Sequence, residues 1–309
     1  MGQAAAALKG IYGPIQAEID RFEETLEREL AHDNPFVRQL LEHSSRFQGK
    51  RVRPALLLHG AHILGGAATD VHISLAAVVE MLHTATLVHD DVLDEALLRR
   101  QVKTLNNAWG NEASILFGDY LFAKAYTLAA KLHNRDANLV LAKTVEEMCV
   151  GELWQISTKY NFAMDEEQYL KVIYHKTGSL FATACRLGGV DSDAPAAQVE
   201  ALAHYGACFG TAFQIVDDCL DLTGDEREMG KGRQCEAERL VQQNLPRRVG
   251  NVVLAPYHMR HFHQRIVNDD GEVVRGVTVG ADDHRIADRV GLKPHVATDH
   301  ILEDDVPIL

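Results

Sequence analysis

Apolar positions recur at helical spacing through most of residues 1–231, and they predict helices rather than strands. Residues 15–31 carry Ile15, Ile19, Phe22, Leu26 and Leu30, with acidic and basic residues between them. That three-and-four spacing is an amphipathic helix. Residues 71–97 are apolar on nearly every side, which marks a central, buried helix. Residues 112–133 and 137–158 continue the pattern. Asp165-Glu166-Glu167-Gln168 has the form of a capping-box start. The helix it opens is expected to reach Leu187 and stop at Gly188-Gly189. Another is expected from Asp193-Ala194-Pro195, with Pro just inside the start, to Gly224. No extended strand alternation interrupts this region, so the expected fold is an all-α bundle with an apolar centre.

The pattern changes after Lys231. Residues 232–309 hold nine Arg, one Lys and no Ser, against eleven Arg and ten Lys before them. Helical periodicity fades there. Residues 265–280 resemble a hairpin, with β-branched runs on either side of Asn-Asp-Asp-Gly. The chain therefore divides into a helical domain, 1–231, and a divergent tail, 232–309.

Composition narrows the function classes. The net charge of −13 argues against a nucleic-acid binder with a basic surface. Five cysteines without a Cys-x-x-Cys fit free thiols in a reducing cytoplasm. The N-terminus lacks a basic leader and an apolar core segment, so no secretory signal is expected. The longest uncharged stretches, 54–69 and 201–216, fall short of a membrane span of about 20 residues.

The candidate chemistry lies in two copies of one acidic motif. Asp90-Asp91-Val92-Leu93-Asp94 and Asp217-Asp218-Cys219-Leu220-Asp221 each follow a long apolar run. On a helix, positions i, i+1 and i+4 fall within a sector of about 100°. Three carboxylates crowded beside apolar sequence need a cation between them. Mg²⁺ suits that need, because it takes one or two carboxylates together with substrate phosphate oxygens. The basic clusters Lys50/Arg53 and Arg99/Arg100 would face such an anion. Lys50 and Arg53, three apart, are expected on one helical face. Taken alone, each cluster fits a solvated surface as well. His83 lies seven residues before Asp90, where a satisfied core histidine is the bland alternative. Gln214, three before Asp217, also fits a simple polar face.

Taken together, Gly-Lys-Arg-Val-Arg-Pro at 49–54, the segment 82–95, Leu-Arg-Arg at 98–100, Gly-Asp-Tyr-Leu-Phe at 118–122, His-Lys-Thr-Gly at 175–178 and the segment 210–221 resemble the trans-isoprenyl diphosphate synthases. The long-chain polyprenyl type, similar to octaprenyl diphosphate synthase, matches best, over about residues 8–231. The resemblance implies an isoprenoid-synthase-type helical bundle around a central cavity. It implies a prenyltransferase that condenses isopentenyl diphosphate with an allylic diphosphate, such as farnesyl diphosphate, to make a long all-trans polyprenyl diphosphate. It implies about three Mg²⁺ per site, held by Asp90, Asp91, Asp94, Asp217, Asp218 and Asp221. Arg99, Lys176 and Lys231 are implied at the allylic diphosphate, and Lys50, Arg53, His83 and Arg100 at isopentenyl diphosphate. Lys176, Thr177 and Gln214 match positions near the reacting centre. A homodimer in the cytoplasm that hands its product to a membrane is also implied.

Product length follows from the helix that carries Asp90. One turn rises about 5.4 Å, close to one extended five-carbon unit. A bulky aromatic one turn before Asp90 would plug a product tunnel early. Ala85 and Thr86 stand there, with Leu82 one turn further on, which predicts a product longer than farnesyl or geranylgeranyl diphosphate. The alternative is that Ala85 simply packs helices.

The chain departs from the family in two places. Gln101-Val102 stands where a Gly-Lys usually follows the arginine pair. After Lys231 the expected Gly-Lys-x-Thr-x-Pro motif and the further amphipathic helices are missing. A shifted reading frame or a misjoined gene is the expected reason for the second departure, with a genuine divergent segment as the alternative. It also raises the alternatives of an impaired remnant or a non-catalytic subunit. A terpene cyclase fits less well, because Asp217–Asp221 does not match the second motif of those enzymes.

Overall fold

The computed structural model describes residues 10–47, 49–158 and 164–223, with the backbone alone for 221–223. Lys231, Cys235 and the expected hairpin at 265–280 lie outside the described residues. The helices are α1 (Gln16–Leu30), α2 (Pro35–Ser44), α3 (Val52–Gly65), α4 (Asp70–Leu93), α5 (Leu105–Trp109), α6 (Asn111–Lys131), α7 (Arg135–Ser157), α8 (Glu166–Ile173), α9 (Ser179–Leu187) and α10 (Ala196–Thr223). A π-helical segment, Tyr174–Gly178, joins α8 to α9. The only strands among the described residues are β1 (Leu98–Arg99) and β2 (Val102–Lys103), an antiparallel pair. The expected all-α class is borne out.

Helix α4 is the axis of the bundle. Thr69 closes its N-terminus, donating its N–H to His72 Nδ1 at 3.0 Å. Along its length Leu75, Ala76, Ala77, Val79, Leu82 and Ala85 are fully buried against the surrounding helices, chiefly α1, α3, α6 and α9. Burying each Leu or Val there stabilises the fold by roughly 1.5–3 kcal/mol. Among the described residues, α4 is also the one helix long and apolar enough to cross a membrane, and it is mostly buried within the protein. Polar caps set where several neighbours begin. Asn34 Oδ1 accepts from the Phe36 and Val37 N–H groups, and Asn134 Oδ1 accepts from Ala137 N–H. Asp165 Oδ1 accepts from Gln168 N–H at 2.8 Å, at the helix start expected from the sequence.

Four expectations need correction. Lys50 and Arg53 do not share a helical face: α3 begins at Val52, and Arg51 precedes it in the left-handed region at φ 53°. The helix expected from 165 to 187 is interrupted, because residues 174–178 widen into a π turn. Helix α4 stops at Leu93 rather than near residue 97, with Asp94 as its C-cap. Pro195 lies just outside α10, whose first residue is Ala196.

Close helix crossings place the site. A Cβ on Gly206 would meet Phe181 O at 2.5 Å, and one on Gly210 would meet Gly178 Cα at 2.9 Å. Two glycines one turn apart thus let α10 lie against the π segment and α9 at backbone distance. A Cβ on Gly151 would come within 2.8 Å of Lys176 N, so α7 approaches the same segment from the other side.

Candidate active site

The first acidic motif ends α4. Asp90 Oδ2 lies 3.9 Å from Lys176 Nζ, and the same ammonium lies 2.7 Å from Glu152 on α7. Burial raises the Asp90 pKa from 3.8 to about 7; Lys176 opposes the rise, while Glu152 and Asp94 add to it. Burial works against the Lys176 ammonium as well, yet Asp90 and Glu152 hold its pKa above the ordinary lysine value. Asp91 is 2% exposed and takes a guanidinium fork, with Arg99 Nε at 3.0 Å and Nη2 at 2.8 Å from Oδ1. Burial still leaves the Asp91 pKa raised. Two residues implied at the metal and at the allylic diphosphate are thus paired with each other.

The second motif lies on α10. Asp217 is exposed. Asp218 Oδ2 accepts from Tyr169 OH at 2.7 Å, and its Oδ1 accepts from Gln214 Nε2 at 3.0 Å. Gln214 Oε1 in turn accepts from Thr177 Oγ1 at 2.7 Å. Lys176 and Thr177, neighbours in the π segment, therefore serve both motifs: one reaches Asp90 and the other reaches Asp218 through Gln214. The Asp221 side chain and Lys231 lie outside the described residues.

All four residues implied at isopentenyl diphosphate line one cavity of about 1330 Å³, beside Asp91. Lys50 is exposed at its mouth. Tyr12 OH donates to the Lys50 carbonyl. Arg53 lies over the Phe181 ring at 4.1 Å, and its Nε has no hydrogen-bond partner among the described residues. Burial lowers the Arg53 pKa to about 10, with Glu80 opposing. Arg100 Nη1 donates to Phe47 O at 2.6 Å. Burial, followed by Arg53, Arg99 and Arg100, pushes the His83 pKa well below 6.5. His83 is therefore a neutral imidazole among cations.

The residues expected to set chain length lie elsewhere. Leu82 and Ala85 are fully buried in packed clusters, Ala85 beside Phe117 and Leu121, and neither lines this cavity. Thr86 is half-buried, and its hydroxyl donates to His83 O at 2.8 Å.

Sequence reasoning missed Glu152, Tyr169, Glu80 and the structural role of Arg51. Glu152 sits in a helix that reads as amphipathic, and Tyr169 is one aromatic among several. Arg51 was visible inside the Lys-Arg-x-Arg motif, but nothing in the motif gave its left-handed backbone.

The donor set fits a hard divalent ion. Among the described residues no three His, Cys, Asp or Glu groups converge closely enough to cage one. What is present is a half-buried carboxylate, Asp90, with its pKa raised to about 7 and Lys176 beside it, and a second motif reached from the neighbouring Thr177 through Gln214. Such a donor set suits a hard divalent ion that takes few protein carboxylates.

Comparison with known proteins accords with this arrangement. The sequence model of the polyprenyl synthetase family matches residues 34–236. A prenyl transferase from Synechocystis is 39% identical over 223 residues, covering 72% of this chain and 69% of that protein. The nonaprenyl diphosphate synthase of Mycobacterium tuberculosis is 40% identical over 218 residues, 70% of this chain, which spans 64% of that protein's length. A crystal structure of a Caulobacter crescentus polyprenyl synthase, complexed with calcium and isoprenyl diphosphate, superimposes with a TM-score of 0.69 at 35% identity, covering 72% of this chain and 68% of that one. The chain belongs to the polyprenyl synthetase family, prenyltransferases that include the long-chain polyprenyl diphosphate synthases.

Proposed function

We propose that the protein condenses isopentenyl diphosphate with an allylic diphosphate in a divalent-metal-dependent reaction and makes a long all-trans polyprenyl diphosphate. The observation that carries this is the joining of the two aspartate motifs through adjacent residues, Lys176 and Thr177, beside a cavity lined by Lys50, Arg53, His83 and Arg100. Asp90 and Asp94 on one side, and Asp217 and Asp221 on the other, would hold about three Mg²⁺. Bound metal supplies Lewis-acid stabilisation of the departing pyrophosphate.

The chain's own residues bind and orient. Lys176 carries a persistent positive charge toward the allylic diphosphate, and Lys231 is assigned beside it. Lys50, Arg53 and Arg100 hold isopentenyl diphosphate, with the neutral His83 donating one N–H. Arg99 holds Asp91 in place and adds positive potential. In the transfer, the isopentenyl double bond attacks the allylic C1, the C1–O bond breaks, and a proton is lost from the new chain. Thr177 and Gln214 face this centre with oriented dipoles rather than free charge, a preorganised environment for a developing cation.

The similarity to a nonaprenyl synthase supports a long product; Ala85, packed beside Phe117 and Leu121, fits the helix-packing alternative. Exposed Ile115, Leu116 and Tyr126 on α6, with Leu139, Val150 and Leu153 on α7, support a homodimer through these two helices. We place the enzyme in the cytoplasm, handing product to a membrane. The tail from 232 is read as a shifted frame or a misjoin, which is supported by the family match ending at residue 236.

Incubation with Mg²⁺, farnesyl diphosphate and labelled isopentenyl diphosphate tests the proposal. Elongated alcohols are expected after dephosphorylation, and Asp90→Ala or Asp217→Ala abolishes them. Turnover that survives either change overturns the two-motif assignment. Absence of turnover in a folded wild-type protein supports a non-catalytic subunit instead.

A further inference from the structure

Arg51 is not free to bind substrate. Its Nε and Nη2 donate to Glu23 at 2.7 and 3.0 Å, and its Nη1 donates to Glu80 at 2.5 Å. Phe22 covers the guanidinium at 5.6 Å. The Glu80 carboxylate is 5% exposed. Arg51 also adopts φ 53°, a region that L-residues other than Gly, Asn and Asp avoid. A strained backbone persists only where its surroundings over-determine it. Here two carboxylates from α1 and α4 grip one side chain.

The location of this strain matters. Arg51 caps α3: its carbonyl accepts from Ala55 N–H at 3.0 Å. The left-handed residue lies between Lys50, outside the helix, and Arg53, in its first turn. Both side chains then line the same cavity. In an uninterrupted helix, three residues apart, they would stand on one face and could not approach a diphosphate from different directions.

Building on the prenyl-transfer function above, we propose that Arg51, clamped between Glu23 and Glu80, is a positioning residue for the isopentenyl diphosphate subsite. The clamp holds the left-handed turn that aims Lys50 and Arg53 at the diphosphate. Glu80 serves a second purpose as the buried counter-charge that lets Arg51, Arg53 and Arg100 lie close together before the anion arrives.

A backbone role can be separated from a charge role. Glycine accepts positive φ without strain, so Arg51→Gly keeps the turn and loses the guanidinium, whereas Arg51→Ala loses both. The full-length wild type and both variants are compared by calorimetric titration with isopentenyl diphosphate in EDTA, and by steady-state kinetics with Mg²⁺. Melting curves confirm that each protein is folded. The expected result is about a tenfold rise in isopentenyl Kd and KM for Arg51→Ala, equivalent to about 1.4 kcal/mol. For Arg51→Gly the rise is about twofold. KM for farnesyl diphosphate stays unchanged in both.

Glu80→Gln gives a test of sign. Removal of a negative charge beside three guanidiniums should tighten diphosphate binding if Glu80 acts through the field alone. If it holds the clamp, binding weakens. Arg51→Gly binding as poorly as Arg51→Ala, or Glu80→Gln binding more tightly, overturns the proposal. Equal weakening for farnesyl diphosphate does so too. Calorimetry needs no turnover, so an inactive wild type that still shows this binding pattern refutes the prenyl-transfer function and leaves the positioning role standing.

Discussion

Asp90 carries a charge that the fold holds at a loss. Burial raises its pKa from 3.8 to about 7, with Lys176 at 3.9 Å giving only partial relief. A carboxyl whose folded pKa exceeds its unfolded value binds its proton more tightly in the native state. Stability is therefore greatest below the unfolded pKa, falls as pH rises toward 7 and levels off above that. A shift of roughly three pKa units corresponds to a ceiling of about 4 kcal/mol. Asp90→Asn removes that penalty but deprives Lys176 of one partner, leaving it Glu152 at 2.7 Å. A net gain of about 1–2 kcal/mol remains, or a Tm higher by about 3–6 °C for a domain of this size. Differential scanning fluorimetry in EDTA from pH 4 to 8.5 reads it directly. The Tm advantage of the variant should grow between pH 4 and 7, then stay constant. Adding Mg²⁺ with pyrophosphate should raise the wild-type Tm and leave the variant nearly unmoved, while elongation by the variant is lost. A variant less stable than wild type at pH 8, or an advantage independent of pH, would refute the placement of Asp90 as a half-buried, poorly compensated carboxylate.

Three further outcomes are expected. Arg100 and Gln101 form the two-residue turn between β1 and β2 with φ 50° and 66°, so Gln101→Gly should stabilise the protein by roughly 1 kcal/mol in urea unfolding. Gly210→Ala would set a Cβ 2.7 Å from the Phe181 ring and 2.9 Å from Gly178 Cα; a loss of about 1–3 kcal/mol is expected, with a kcat drop as Gln214 moves off Thr177. Leu153→Lys places a charge in the exposed apolar face of α7, and light scattering should report its loss of the dimer proposed for the wild type.

The sequence made α4 legible because a helix buried on all sides leaves an apolar run with no polar stripe. The acidic motifs were legible because carboxylates beside such a run have few physical reasons to be there. Gln101 was recognised only as standing in place of a glycine; the structure supplies the reason, since a turn of this type needs positive φ at that position. The π segment was hidden, because one extra residue per turn leaves the apolar spacing of 165–187 almost intact. It lies where Gly151 and Gly210 admit neighbouring backbones, a tertiary approach that no local propensity records. The pairing of Arg99 with Asp91 was hidden for a similar reason, since both were candidates for separate partners and only geometry gives them to each other. The sequence assigns no role to Arg51, because its two glutamate partners lie 28 and 29 residues away.

The adjacency of Lys176 and Thr177 has a consequence for how this family can change. Consecutive α-carbons are 3.80 Å apart, and that length is covalently fixed. The grip on one motif and the grip on the other are therefore gauged by a single peptide unit rather than by two independently wandering loops. An inserted or deleted residue within Tyr174–Gly178 would misalign both at once.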